Sequence, residues 1–225
     1  MNELAVFGAG GHAREVIALV RDLNAAGPVW SLAGVLTDRP EWTLPDSVGL
    51  PRLGGIDWLA AHSAFHVVVA VGNPSSRREI VRRIRMTVAN PFATLVHPRA
   101  WIAERVSIGV GAQIFAGTLV NTDVRIGAHV ILNVGCRVSH DSVISDHATL
   151  GPGATLCGGV TVGADCELGT GSIVLPRISI GERVRLGAGA VATRSLPAGV
   201  TAVGIPARVR ASAPSANPQR STPAP

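Results

Sequence analysis

His140 and Asp141 stand side by side near the middle of the chain, closing the run NVGCRVSHD that begins at Asn133. A neutral imidazole with a carboxylate beside it is a minimal general base: the ring takes a proton and the acid stabilises the resulting charge. On a straight strand adjacent side chains point to opposite faces, so the two act together only where the chain turns a corner. A second chemical set lies at the N-terminus. Leu4 to Gly8 reads as a strand, Gly8-Ala9-Gly10-Gly11-His12-Ala13 as a tight turn, and the run after Glu15 as a helix. This G-x-G-x-x-A spacing lets the backbone approach a phosphate, and the helix N-terminus offers N–H groups and the positive end of its dipole. Asp38 closes the next apolar strand, where such units often place an acid against a ribose. Gly10, Gly11, His12 and Asp38 are therefore expected to converge on a nucleotide at the carboxyl ends of the strands. The bland reading of the same turn is a tight connection that any βα unit needs.

The elements that must position His140 are set by an internal repeat. From Ile102 to Leu186 every sixth residue is Ile, Leu or Val, fifteen in succession without insertion or deletion. A period of six fits neither an amphipathic helix nor a plain alternating strand. Four residues after each aliphatic comes a small or β-branched residue, such as Ala112, Thr118 or Cys136, and Gly often follows the aliphatic directly. A large and a small residue pointing inward, with Gly near the corners, describe short flat strands that turn and continue. Three hexads close one triangular coil of eighteen residues, which predicts a left-handed parallel β-helix of about five coils. Eighteen residues also separate His140 from Gly158. Gly158 should therefore stack beside the imidazole and leave a backbone N–H near a reacting carbonyl, as an oxyanion donor.

Other residues are weighed against this pair. Cys136 and Cys166 occupy small inward slots and read as core atoms, while Cys157 lies beside Gly158 and Gly159. Three cysteines make no disulfide framework. His129 and His147 raise the possibility of a metal, but their spacing from His140 does not match a histidine ligand set, and no metal is expected. The formal net charge is +5 and every basic residue is Arg. The arginines are scattered except for Arg77, Arg78, Arg82, Arg83 and Arg85, whose helical spacing reads as a solvated helix face. An anionic small molecule explains the charge better than nucleic acid does. No apolar run is long enough to span a bilayer, and the first residues lack a basic n-region and cleavage site, so a soluble cytoplasmic protein is expected, with no membrane partner.

In chain order, strands are expected at 4–8, 31–37 and 65–71, with a looser segment around 50–55 and an Arg-rich helix ending near Met86. The division is a nucleotide-binding, Rossmann-like α/β domain over 1–96, an all-β helix over 97–210, and a Pro/Ser/Ala-rich tail over 211–225 expected to be disordered. Roughly 95 residues is half a dinucleotide fold, with room for a mononucleotide but hardly for NAD.

The ordered set of GAGGHA at 8–13, AVGN at 70–73, His97-Pro98, the hexads, NVGCRVSHD and the closing Gly204-Ile205-Pro206-Ala207-Arg208 resembles the NeuD/PglD group of nucleotide-sugar and sialic-acid acetyltransferases. The resemblance covers about residues 3–210. It implies a homotrimer with acetyl-CoA between neighbouring helices, His140 as general base and Asp141 as its partner. It also implies a UDP-type nucleotide near Gly10, Gly11, His12 and Asp38, Asn133 near the active site, and Gly158 facing the thioester carbonyl. Members acting on 4-amino sugars often carry a second histidine where this chain has Thr149. The expected reaction is acetyl transfer to the amino group of a UDP- or dTDP-linked amino sugar. The rivals are O-acetylation of a sialic acid or other small hydroxyl acceptor, and a non-catalytic trimeric nucleotide-binding scaffold.

Overall fold

A computed structural model describes residues 1–39, 41–89 and 91–210; the tail expected at 211–225 lies outside the described residues. The N-terminal part contains β1 (Asn2–Phe7), α1 (Gly11–Ala26), β2 (Trp30–Leu36), β3 (Arg52–Gly54), α2 (Ile56–Ala61), β4 (His66–Val69) and α3 (Pro74–Thr87). Its sheet is parallel with strand order β3-β2-β1-β4, and the looser segment around residue 53 supplies β3. Both faces are covered, which is why β1 and β4 read as near-continuous apolar runs. Leu4 and Val6 pack with α1, whereas Ala5 and Phe7 pack with α2 and α3. Gly8 follows β1 at φ 139°, and a Cβ there would lie 2.6 Å from Ala70 O just past the end of β4, so both conformation and space demand glycine.

The hexads form a parallel β-helix. Residues eighteen apart pair in register, as Ile126 with Ile144, Leu132 with Leu150 and Val138 with Leu156. Its first face holds the strands from Leu95–Val96 through Gln113–Ile114, Ile131–Leu132 and Thr149–Leu150 to Thr201–Val203. The second runs from Trp101–Ile102 through Arg137–Val138 and Thr155–Leu156 to Val191–Ala192, and the third from Ser107–Ile108 through Arg125–Ile126 and Val143–Ile144 to Ser179–Ile180. The large and small slots fill the interior, and burial pushes the Cys136 thiol up to about 12 and Cys166 up to about 11. Ile102, Val106 and Ile108 stay partly exposed because no coil lies beneath them. Leu95–Val96 already pairs with Gln113–Ile114, so the β-helix begins two residues before the expected boundary at 97.

The α/β part sits on the lower strands of the first face. Phe115 and Ile131 join its core, and Gln113 is fully buried between the two parts. Gln113 Nε2 donates to Val69 O at 2.9 Å, and Gln113 Oε1 faces His12 Nε2 at 3.0 Å. His97 forms a second fastening: its Nδ1 accepts from Arg99 N, which leaves Nε2–H to donate to Asp22 of α1 at 2.9 Å. The solvated-helix reading holds for Arg78, Arg82, Arg83 and Arg85, which are exposed, and is corrected by burial for Arg77. Arg77 is 0% exposed, Arg78 pairs with Asp165 of the β-helix, and Arg83 pairs with Asp38. Pro74, Arg77, Val81 and Ile84 form the buried stripe of α3, so Arg77 occupies an apolar position facing a neighbour that supplies carbonyls.

Candidate active site

His140 and Asp141 occupy the corner between the second and third faces. The corner puts Asp141 at φ 60°, a left-handed conformation that Asp tolerates better than most residues. This backbone turn brings the carboxylate back to the side of its neighbour: His140 Nδ1 donates to Asp141 Oδ2 at 2.7 Å. A carboxylate that accepts from Nδ1 fixes the tautomer, so Nε2 carries the free lone pair. Both side chains remain open to solvent, at 59% and 67% exposure.

Gly158 lies one coil above, and the next residue ties the two coils together through Gly159 N to His140 O at 2.9 Å. A Cβ at position 158 would stand 2.7 Å from both His140 Cε1 and Nε2, so any side chain there displaces the imidazole. Gly158 O accepts from Arg177 N, while the Gly158 N–H has no acceptor among the described residues. A base nitrogen and a backbone N–H, neither with a partner among the described residues, thus belong to adjacent coils of one corner, and these are the two groups that base-assisted attack on a carbonyl uses.

Asn133 is not brought to this corner within one chain. It lies at the corner between the first and second faces, where its Oδ1 accepts from Val134 N at 2.7 Å. Thr149 lies on the first face against the α/β part, with Oγ1 donating to Gly72 O at 2.9 Å. His147 stacks on His129 at 5.2 Å and 6°, a parallel arrangement that does not converge their nitrogens on one point. Among the described residues no group of three His, Cys, Asp or Glu has the arrangement for a metal.

The second predicted centre is a cavity at the carboxyl ends of β1, β2 and β4, about 360 Å³, bordered by Gly8, Ala9, Asp38, Trp42, Val71 and Arg83 among others. Asp38 is there, but its carboxylate already accepts from Ile56 N at 3.3 Å and from Arg83 Nη1 at 2.8 Å. Arg83 turns an acid expected to meet a ribose into half of an ion pair, and gives the cavity a cation that suits a phosphate. Gly10 caps α1 and Gly11 begins it, next to the cavity wall but not in its lining. His12 points away, to Gln113 and against Phe115 at 5.6 Å. Sequence reasoning missed Arg83, Gln113, the His97–Asp22 contact and the role of Arg77. Arg77 alone had a legible signal, since its spacing to Val81 and Ile84 places it on an apolar stripe.

Comparison with known proteins rests on the whole architecture. Residues 3–84 match the PglD N-terminal domain, and residues 141–176 match the bacterial transferase hexapeptide (six repeats) model. A perosamine N-acetyltransferase from Caulobacter crescentus, solved as a histidine-to-asparagine mutant with CoA and GDP-perosamine, is 30% identical, with 94% of this chain and 98% of that chain covered at a TM-score of 0.84. The chain belongs to the NeuD/PglD-like acetyltransferases. Within this family the acetyltransferase domain of PglB from Neisseria gonorrhoeae FA1090, in complex with acetyl coenzyme A, is also 30% identical, covering 93% of this chain and 99% of that one at a TM-score of 0.82. The UDP-N-acetylbacillosamine N-acetyltransferase of Bacillus subtilis (strain 168) is 37% identical over 123 residues, 52% of each protein, so the match spans about half the length of that enzyme. No helix among the described residues is long and apolar enough to cross a membrane.

Proposed function

We propose that this protein transfers the acetyl group of acetyl-CoA to the amino group of a nucleotide-linked amino sugar. The observation that carries the reading is the His140–Asp141–Gly158 corner, with its tautomer set by the 2.7 Å hydrogen bond to Asp141. The amine attacks the thioester carbonyl and His140 Nε2 accepts the proton lost from nitrogen. Asp141 stabilises the imidazolium, and the Gly158 N–H donates to the oxyanion. Collapse of the tetrahedral intermediate breaks the C–S bond, and the imidazolium proton passes to the departing CoA thiolate. An acyl-enzyme is unnecessary because the thioester is already activated and both substrates are held in place.

The cavity bordered by Gly8, Asp38 and Arg83 is assigned to the nucleotide, with His12, Gly10, Gly11 and the α1 N-terminus beside it. Two of the named relatives carry UDP- or GDP-linked amino sugars in their names or complexes, which supports a nucleotide-linked acceptor here. This cavity stands over the first face, whereas His140 is at the corner opposite that face. A six-residue face spans roughly 15–20 Å of extended chain, too far for one sugar to bridge around its own coil. The active assembly is therefore assigned as a homotrimer in which another copy's corner meets the cavity, with Asn133 reaching the site from a neighbouring copy. Exposed Trp101 and Leu119, adjacent on the second face, support burial between copies. The cytoplasm is the assigned compartment, since acetyl-CoA is available there.

A thiol-release assay with acetyl-CoA against UDP-, dTDP- and GDP-linked amino sugars, alongside the free sugars, tests the assignment. Turnover confined to a nucleotide-linked amine is the expected result. Turnover with a free hydroxyl sugar would move the protein to O-acetylation, and silence with every acceptor would remove the catalytic reading.

A further inference from the structure

Among the described residues Arg77 heads the fully buried side chains when these are ranked by size, and none of its hydrogen-bond partners there is a carboxylate. Burial pulls its guanidinium down to about 9, the opposing pull of Asp165 and Glu167 being smaller. A buried cation without a neutralising contact is expensive, and an apolar side chain of similar volume would fill the space at lower cost. Its partners show what the charge is used for. Nη1 donates to Val71 O and Gly72 O, at 2.8 and 2.9 Å, where the chain leaves β4. Nε donates to His129 O at 2.9 Å, and Nη2 to His147 O at 2.5 Å and Thr149 Oγ1 at 2.9 Å. Thr149 Oγ1 in turn donates to Gly72 O, closing a ring of bonds across the seam.

Of the two anchors on the α/β side, Val71 borders the nucleotide cavity and Gly72 is the next residue of the chain. Ser76, Glu79 and Arg83 line the cavity from the helix that carries Arg77. The anchors on the other side belong to two successive coils of the β-helix. Apolar packing is non-directional and permits sliding, whereas a planar guanidinium bonded at three nitrogens fixes both distance and angle.

We propose that Arg77, with Thr149, is a positioning residue for acetyl transfer: the clamp sets where the nucleotide cavity delivers its sugar relative to the acetyl-transfer corner. The proposal rests on the nucleotide-sugar acetyltransferase reading. It separates two tasks that a static view merges, since the cavity's own walls hold the nucleotide and Arg77 aims it.

The test uses the full chain with Arg77→Lys, Thr149→Val and Thr149→Ser. Lys retains the charge but cannot reach both sides at once, and the Gln113–Val69 and His97–Asp22 contacts still fasten the seam. Binding of UDP, dTDP and GDP is measured by calorimetry, and kcat is measured by thiol release with the saturating nucleotide-linked amino sugar. A misplacement of about 1 Å costs on the order of 10²-fold, so Arg77→Lys should lose roughly 10- to 100-fold in kcat. The dissociation constant of the diphosphate should stay within about twofold and the binding stoichiometry should stay full, because the cavity is intact. Thr149→Val should show a smaller loss of the same kind, and Thr149→Ser should restore wild-type kcat. An unchanged kcat in Arg77→Lys overturns the proposal. So does a stoichiometry that falls in step with kcat, which is misfolding, or a weakened diphosphate affinity, which makes Arg77 part of the cavity wall. A wild-type chain that binds none of the three diphosphates and turns over no nucleotide-linked amine removes the functional reading and this inference together. Wild-type turnover with unaltered variants removes the inference alone.

Discussion

Two corners of the same β-helix carry a histidine next to an acid, in opposite order. At one, His140 precedes Asp141; at the other, Asp146 precedes His147, with His129 one coil below. In the first, the acid takes the left-handed position and folds back onto the ring. In the second, the histidines take it, at φ 55° and 60°, and Asp146 Oδ1 is spent on Ala128 N at 2.8 Å. His129 is 1% exposed beneath Phe92, and His129 Nε2 and His147 Nδ1 have no hydrogen-bond partner among the described residues. Burial is the first cause of the drop of the His129 imidazole to about 3, with His147, Arg85 and Arg77 adding to it. A repeat therefore supplies equivalent slots, and which residue falls in the left-handed one decides whether acid and base meet. Whether the corner is covered by the α/β part then decides whether the ring can take a proton.

The sharpest way to break this comparison is to remove the imidazole from the open corner. His140→Ala should lower kcat by about 10²–10⁴-fold with an unchanged melting temperature, as measured by thiol release and thermal unfolding; near-normal turnover would end the base assignment. Gly158→Ala should follow at about 10²-fold. Its backbone φ is not in the left-handed region, so the loss comes from a methyl 2.7 Å from the ring, and the melting point should stay close to wild type. Asp141→Asn keeps the left-handed conformation but accepts no better than an amide, and should cost roughly 10-fold in kcat. A loss as large as that of His140→Ala would show that the acid does more than orient an exposed ring.

The covered corner predicts a pH effect instead of a rate effect. His129 protonates near pH 3 in the fold but near 6.5 in the unfolded chain. Between those values the unfolded state binds the extra proton, so the stability from neutral His129 is complete above pH 6.5 and is lost as pH falls toward 3. His129→Asn, which tolerates the same positive φ, should shrink the difference in melting temperature between pH 7 and pH 5 by roughly 4–8 °C. An undiminished difference would place the acid sensitivity in other groups.

Much of this was legible in one dimension. The six-residue period fixes the pairing of residue with residue eighteen places on, because a coil cannot slip without exposing its aliphatic slots. From that register alone Gly158 had to lie beside His140. The GAGGHA turn likewise announces a βα unit with a cavity at its strand ends. The pattern suggests corner residues in the glycines that directly follow the aliphatics, yet the left-handed position comes two residues later and is filled by Asp, His and Arg as well as Gly. At Gly109 a Cβ would sit 2.5 Å from Ala128 N, so close stacking of coils explains that glycine.

The local pattern along the chain thus determined the two parts, the coil register and the stacked pair at 140 and 158, since each depends on neighbours at a fixed spacing. Tertiary structure alone decided that Arg83 pairs with Asp38, that His12 turns to Gln113, that Asn133 and His140 stand at different corners, and that Arg77 spans the seam. Those contacts join residues from separate elements, and their geometry follows from how one rigid part sits on another, which no spacing in the sequence encodes.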